Sequence, residues 1–206
     1  MSKSELTVYL LRHGQTDMNA DSNKYCGLTD AKLTELGKQQ ANHAGKLVAS
    51  INFDAVYASP LQRSKDTAEL LGISDTIKVD PRLIEIDFGS WEGKTREEFV
   101  AENPDSWEKW NEDPKKYAAG GNGETAQSVI ERLDDFYAEK IKEHKHKNIL
   151  IVGHNGINRI YLAHKLGMPL QNYRSILQEN SCITLFTMGG PEGFQLQRLN
   201  CGGAGK

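Results

Sequence analysis

Short continuous apolar runs alternate along the chain with longer stretches whose apolar residues recur at helical spacing. Leu6 to Leu11 (LTVYLL) is a β-rich run expected to be a strand buried on both faces, and it stops at Arg12-His13-Gly14. Leu33 to Ser50 has apolar or small residues at helical spacing, with Thr34 placed to cap it. Ala55 to Ala58 reads as a second strand. Ser59-Pro60 then opens a helix through about Leu71, with Pro60 at its first position and Gly72 just beyond its end. Asn148 to Val152 (NILIV) repeats the design of the first strand and leads through Gly153-His154-Asn155-Gly156 into a helical pattern reaching Leu166. Ser181 to Thr187 and Phe194 to Leu199 read as closing strands, and the glycine-rich end from Gly202 to Lys206 as a frayed tail.

The middle of the chain is less regular. Glu85 to Gly93, with two glycines and two aromatics, predicts an ordered turn. Residues Thr95 to Lys116 hold short polar helical patterns broken at Pro104 and Pro114, as an insertion over a sheet would. Gly120-Gly-Asn-Gly123 reads as a linker, and the charged amphipathic stretch from there to about His146 as a long surface helix. Alternating strands and helices predict an α/β fold, a three-layer α/β/α sandwich with a mostly parallel central sheet. We expect one domain over residues 1–206, with a lid-like helical insertion at about 95–123. In such folds ligands sit outside the strand C-termini, where both His13 and His154 fall.

Composition removes several classes of function. A charged fraction of 26 % and a net charge of −3 give no global basic field for nucleic acid, so a bound anion must be held locally. No apolar run approaches membrane-spanning length, and the polar Met1 to Glu5 lacks a signal-peptide pattern. Cys26, Cys182 and Cys201 are widely spaced, without a Cys-x-x-Cys pair, and fit reduced thiols in a cytoplasmic protein. The sequence sets no oligomeric state and leaves a dimer open.

Transfer of a phosphoryl group without a metal needs donors for three equatorial oxygens, an in-line nucleophile and an acid for the leaving group. Arg12 and Arg63 offer planar charged forks suited to phosphate, Arg63 in the first turn of a helix. His13, between Arg12 and Gly14, could attack phosphorus through a neutral ring nitrogen, and His154, in a tight turn at a helix start, could stabilise the transferring charge. Glu85, if shielded by Phe88 and Trp91, could keep a proton for the leaving oxygen, while Asp87 and Glu92 compete for that role in the same loop. His43, His144, His146 and His164 lie on helical stretches and read as solvent-facing. Taken singly each candidate has a structural alternative; their common place beside strand ends favours chemistry.

Leu11 to Thr16 (LRHGQT) with Asn19, Leu33-Thr34, Ser59 to Arg63 (SPLQR) with Thr67-Ala68, Glu85 with Phe88-Gly89 and Trp91 to Gly93, and Gly153-His154 resemble the histidine phosphatase superfamily. The match is to its phosphoglycerate-mutase-like branch and covers most of the chain. The resemblance implies that His13 is the phosphorylated nucleophile and Glu85 the proton donor. It likewise implies that Arg12, Arg63 and His154 form the phosphate pocket, that Asn19 and Gly27 add substrate contacts, and that no metal or cofactor is needed. The expected partner is a small-molecule phosphomonoester, with neither nucleic acid nor membrane.

Mutases of this family resemble phosphatases at the core but carry an arginine-rich segment after the acid loop. Here that region is mainly acidic, with Arg96 as its only arginine, which favours hydrolysis over transfer to a second hydroxyl. A non-catalytic phosphate-binding protein would be expected to lose His13, Glu85 or an arginine, and a metal-dependent hydrolase conflicts with two arginines beside its histidines. Similar sequences act on sugar phosphates, phosphoserine, α-ribazole phosphate or fructose bisphosphates, so the substrate stays open. The acidic and aromatic lid weakly disfavours highly anionic ones.

Overall fold

The computed structural model describes residues 5–20 and 24–202; the end of the expected tail, 203–206, lies outside the described residues. Six strands form one mixed sheet. β1 (Leu6–Arg12) pairs in parallel with β4 (Asn148–Gly153), which pairs with β2 (Ala55–Ala58), and β2 pairs in turn with β3 (Ile77–Val79). On the other side of β1, β5 (Ile183–Gly190) and β6 (Gly193–Cys201) run antiparallel, giving the order β3-β2-β4-β1-β5-β6. Seven α-helices and four short 3-10 turns complete the regular elements among the described residues, the α-helices being α1 (Asp17–Ala20), α2 (Glu35–Val48), α3 (Gln62–Leu70), α4 (Arg96–Glu102), α5 (Pro104–Glu112), α6 (Ala126–Glu143) and α7 (Asn155–Lys165).

Period-2 alternation sends each central strand to two cores. Leu6, Val8, Leu10, Tyr57, Ile149 and Ile151 pack with α6 and α7, whereas Leu11, Val56, Ala58, Leu150 and Val152 pack with α2 and α3. The three-layer sandwich follows, because β1 and β4 are apolar on both faces and need a helical layer on each. Thr34 caps α2 by accepting from the Gly37 amide, as the sequence predicts.

Four expectations change. The helix expected from Ser59-Pro60 starts at Gln62, with Pro60 standing outside it. The Ser59 amide donates to Ser64 Oγ and the Leu61 amide to Ser59 Oγ, a local hydroxyl-bonded turn that displaces the first helical turn. β3 has no counterpart in the sequence reading, since three residues, the half-buried Ile77 and the exposed Lys78 and Val79, are too few to show a period and pair only because β2 offers an edge. Gly120 to Gly123 is no linker: Ser90 Oγ donates to the Gly120 carbonyl and the Ser90 amide to Asn122 Oδ1, which fastens this segment to the 3-10 turn Gly89–Trp91. α6 is the expected amphipathic helix, burying Val129, Ile130, Leu133, Phe136 and Tyr137 on one face, but it ends at Glu143 and not near His146.

His144 is also corrected. It caps α6 but is buried, with Nδ1 2.5 Å from Asp54 Oδ2 and Nε2 2.8 Å from the Tyr57 hydroxyl. His43 and His146 are exposed as expected, and His164 is half-buried.

Candidate active site

The parallel register pairs Arg12 of β1 with Gly153 of β4, so the next residue of each strand, His13 and His154, emerges side by side at the C-terminal edge. Their ring centroids are 5.2 Å apart. The His13 amide is still held by the Gly153 carbonyl at 3.1 Å, and Asn180 Nδ2 donates to the His13 carbonyl, which fixes the backbone. His13 Nδ1 lies 2.7 Å from the Gly14 carbonyl oxygen. Because a carbonyl only accepts, that contact places the ring proton on Nδ1 and leaves the Nε2 lone pair free. Burial, and then the charges of Arg63 and Arg12, push the His13 imidazole well below its usual pKa, so the ring is neutral at neutral pH.

His154 is the N-cap residue of α7 and is fully buried, yet among the described residues neither ring nitrogen has a hydrogen-bond partner. Burial followed by Arg63 and His13 likewise holds it neutral. An unpartnered buried imidazole is costly unless a ligand completes it.

Arg12 is half-buried beside these rings; its Nη1 donates to the Gln178 carbonyl and its buried Nε has no partner. Burial pulls its pKa down to about 10, Glu85 acting in the opposite sense, and it remains cationic at neutral pH. Arg63 is fully buried at the second position of α3. Its Nη1 and Nη2 donate to the carbonyls of Thr29 and Gly27, so this arginine also shapes the pocket rim.

Glu85 is held by three backbone amides at 3.0 Å: its own neighbour Ile86, and Gly156 and Ile157 in the first turn of α7. A side chain at residue 156 would not fit, since a Cβ there would stand 2.7 Å from Glu85 Oε1. The expected aromatic shield is only half present. Phe88 lines the pocket with Glu85, but Trp91 packs with Tyr25, Phe99, Trp107 and Trp110. Of the competing acids, Glu92 accepts from the Leu28 and Thr29 amides and braces the turn at Gly27, whose φ of +51° and close approach to Glu92 suit glycine alone. Asp87 accepts from the Gly89 amide. Among the described residues Glu85 is the only carboxylate lining the pocket.

The pocket gathers His13, Arg12, Arg63, Glu85, Asn19 and Gly27, all predicted from the sequence, while His154 sits immediately behind it. Asn19 Oδ1 accepts from the Thr16 amide, which turns its amide nitrogen away from that contact. The same pocket holds residues that sequence reading missed: Lys24, Tyr25, Asn155, Arg159, Tyr173 and Arg174. Asn155, Gly156 and Arg159 share one face at the start of α7, a signal available from the spacing once His154 is taken as the helix start. Arg174, in the 3-10 turn Leu170–Ser175, carries no such signal. Among the described residues no three His, Cys, Asp or Glu side chains stand together as a metal site needs, and no helix is long and apolar enough to cross a membrane.

Residues 8–202 match the family profile of the histidine phosphatase superfamily (branch 1). The chain is similar to the adenosylcobalamin/alpha-ribazole phosphatase of Escherichia coli, at 32 % identity over 81 % of this chain and 82 % of the relative. Phosphoserine phosphatase 1 of Hydrogenobacter thermophilus is also 32 % identical, over 88 % of this chain and 86 % of the relative. Among solved structures, a mutant phosphoserine phosphatase of Entamoeba histolytica in complex with phosphoserine superposes with a TM-score of 0.86 at 27 % identity, covering 95 % of this chain and 97 % of that one.

Proposed function

The chain belongs to the histidine phosphatase superfamily and is a phosphoric monoester hydrolase, and we propose that its reaction runs through a phosphohistidine on His13. The observation that carries this reading is the state of His13: a neutral ring, its proton committed to the Gly14 carbonyl, with Nε2 free in a pocket that Arg12 and Arg63 also line. In the first half-reaction Nε2 forms a bond to phosphorus as the bond from phosphorus to the ester oxygen breaks. The electron pair leaves on that oxygen, which takes a proton from the Glu85 carboxyl, the one acid among the described residues that line the pocket. Arg12, Arg63 and His154 hold the three equatorial oxygens, with donors whose charge is matched to the transition state rather than to the bound ester. In the second half-reaction water attacks the phosphohistidine, Glu85 takes its proton, and inorganic phosphate leaves with His13 neutral again.

The acidic composition of residues 95–123 remains the reason to favour water over a second hydroxyl as acceptor. The relatives named for α-ribazole and phosphoserine esters support small phosphorylated metabolites as substrates. The test is chemical. Rapid acid-free quenching during turnover should trap an acid-labile, base-stable phosphoryl group that maps to His13 and is missing from His13→Ala. Label on a serine or a carboxylate would overturn the assignment.

A further inference from the structure

Thr67 and Gln40 do not line the pocket, yet both bear on the peptides that decide which nitrogen of His13 is free. The His13 ring is neutral, because burial and then the charges of Arg63 and Arg12 disfavour the imidazolium, so it carries a single ring proton. That proton is held on Nδ1 by the Gly14 carbonyl oxygen, 2.7 Å away. With the carbonyl turned aside, the proton is free to occupy Nε2, and the lone pair that attacks phosphorus is lost. The tautomer therefore depends on the direction of one carbonyl group.

Gly14 is poorly suited to hold that direction by itself. A Cβ at this position would stand 2.4 Å from the Gly37 carbonyl oxygen of α2, so the close packing demands glycine, the residue that restricts φ and ψ least. Side chains from three other segments supply the restraint. The peptide joining His13 to Gly14 is gripped at both edges: Asn180 Nδ2 donates to its carbonyl oxygen at 2.9 Å, and its N–H donates to Thr67 Oγ1 at 3.0 Å. The Thr67 hydroxyl is free to accept there because its own proton goes to the Arg63 carbonyl oxygen, 2.7 Å away. The next peptide, joining Gly14 to Gln15, presents its carbonyl to His13 and from its opposite edge donates the Gln15 N–H to Gln40 Oε1 at 3.0 Å. A peptide is planar, so holding its N–H holds its C=O. With both planes held, φ and ψ of Gly14 are set as well. Thr67 is fully buried on α3 and Gln40 half-buried on α2, two helices packed on the same face of the sheet.

We propose that Thr67 and Gln40 are positioning residues of the reaction: by fixing the two peptides that flank Gly14, they keep the ring proton of His13 on Nδ1 and leave Nε2 ready to attack phosphorus. Neither touches the substrate; both act on His13 through Gly14. The Thr67 hydroxyl also ties the peptide that follows the nucleophile to the first turn of α3, which carries Arg63, so the nucleophile and a phosphate-binding arginine are set by one hydrogen-bonded unit. The role holds only if His13 attacks through Nε2, as the proposed reaction requires.

The experiment reads the tautomer directly, by nitrogen NMR of histidine-labelled protein at neutral pH without substrate, the His13 signals being assigned by their loss in His13→Asn. In the unmutated protein Nδ1 should be protonated and Nε2 bare. Thr67→Val and Gln40→Met remove the acceptors and should each give a mixture of the two tautomers. They should also slow the release of p-nitrophenolate from p-nitrophenyl phosphate in single-turnover assays about tenfold, while the Kd for inorganic phosphate stays within about threefold. Thr67→Ser, which keeps the hydroxyl, should restore the single tautomer and the rate. Gln40 is half-buried, so Gln40→Met decides the outcome if Thr67→Val fails to fold. An unchanged Nδ1 tautomer in the folded variants overturns the role even if the rate falls, since a merely structural loss slows turnover without moving the proton. Mixed tautomers with an unchanged rate overturn it too, as does a proton found on Nε2 in the unmutated protein. Failure of the unmutated enzyme to cleave the ester would instead count against the phosphatase reading, while the spectra still decide whether Thr67 and Gln40 hold the proton.

Discussion

Buried charge and buried histidine occur at both ends of the sheet, and they are treated in opposite ways. At the N-terminal edge His144 is saturated, one ring nitrogen on Asp54 and the other on Tyr57. Lys140 of the helix that His144 caps is paired as well, with Glu139 and Glu143, and Glu139 also meets Arg82, which follows β3 and pairs with Asp80 and Asp135. At the C-terminal edge, among the described residues, His154 has no partner on either nitrogen, His13 keeps one nitrogen free, and Arg12, Arg63, Arg159 and Arg174 meet carbonyls, an amide oxygen or aromatic faces. Among the described residues, then, the charges at one end are paired and those at the other stand without counter-ions, as groups that receive an anion would. Burial alone does not separate the two ends; satisfaction of the polar atoms does.

The comparison is broken most directly by removing charge from each end in turn. Arg12→Ala and Arg63→Ala should each lower kcat by about a hundredfold or more, equivalent to about 2.7 kcal/mol. Arg63→Ala should also lower the melting temperature, because the Thr29 and Gly27 carbonyls lose their donor. A loss of tenfold or less in steady-state assays would place these arginines outside the phosphate pocket. At the other end His144→Ala should cost about 2 kcal/mol in urea unfolding, by stranding Asp54 and Tyr57, while kcat stays within about threefold. A large fall in kcat there would show that the two ends are coupled.

Acidification sharpens the contrast. His13 and His154 have pKa values depressed in the folded protein, so below the usual imidazole value of about 6.5 the unfolded chain binds more protons than the folded one. Their contribution to stability is therefore complete above that pH and is lost as pH falls below it, by at most about 1.4 kcal/mol per pH unit for each histidine. Urea midpoints between pH 8 and pH 5.5 should show this slope, and His154→Gln should reduce it. A flat profile would mean the rings accept protons in place. The smallest effect is expected at Arg82→Met, about 0.5 to 1 kcal/mol in stability and no change in turnover, since its ion pairs are partly exposed to solvent. The loss should shrink in high salt.

The sequence alone determined the elements that carry strong local signals. Leu6 to Arg12 and Asn148 to Gly153 are apolar on both faces, so each had to be a central strand under two helical layers, and the residue that follows each had to sit at the ligand-binding edge. His13, Glu85, Arg12 and Arg63 were legible for that reason and because their motifs occur in order. What the tertiary structure decided was pairing, which no periodicity encodes. His144 and His154 both lie at helix ends, and only the fold brings Asp54 and Tyr57 to one and leaves the other without a partner. Arg159 and Arg174 are separated along the chain from Arg12 and Arg63, and they join the same pocket only because α7 starts where Glu85 can hold its first amides. Hydrophobic pattern is a property of neighbours in sequence, whereas the charge of a pocket is a sum over residues that only the fold brings within reach of one another.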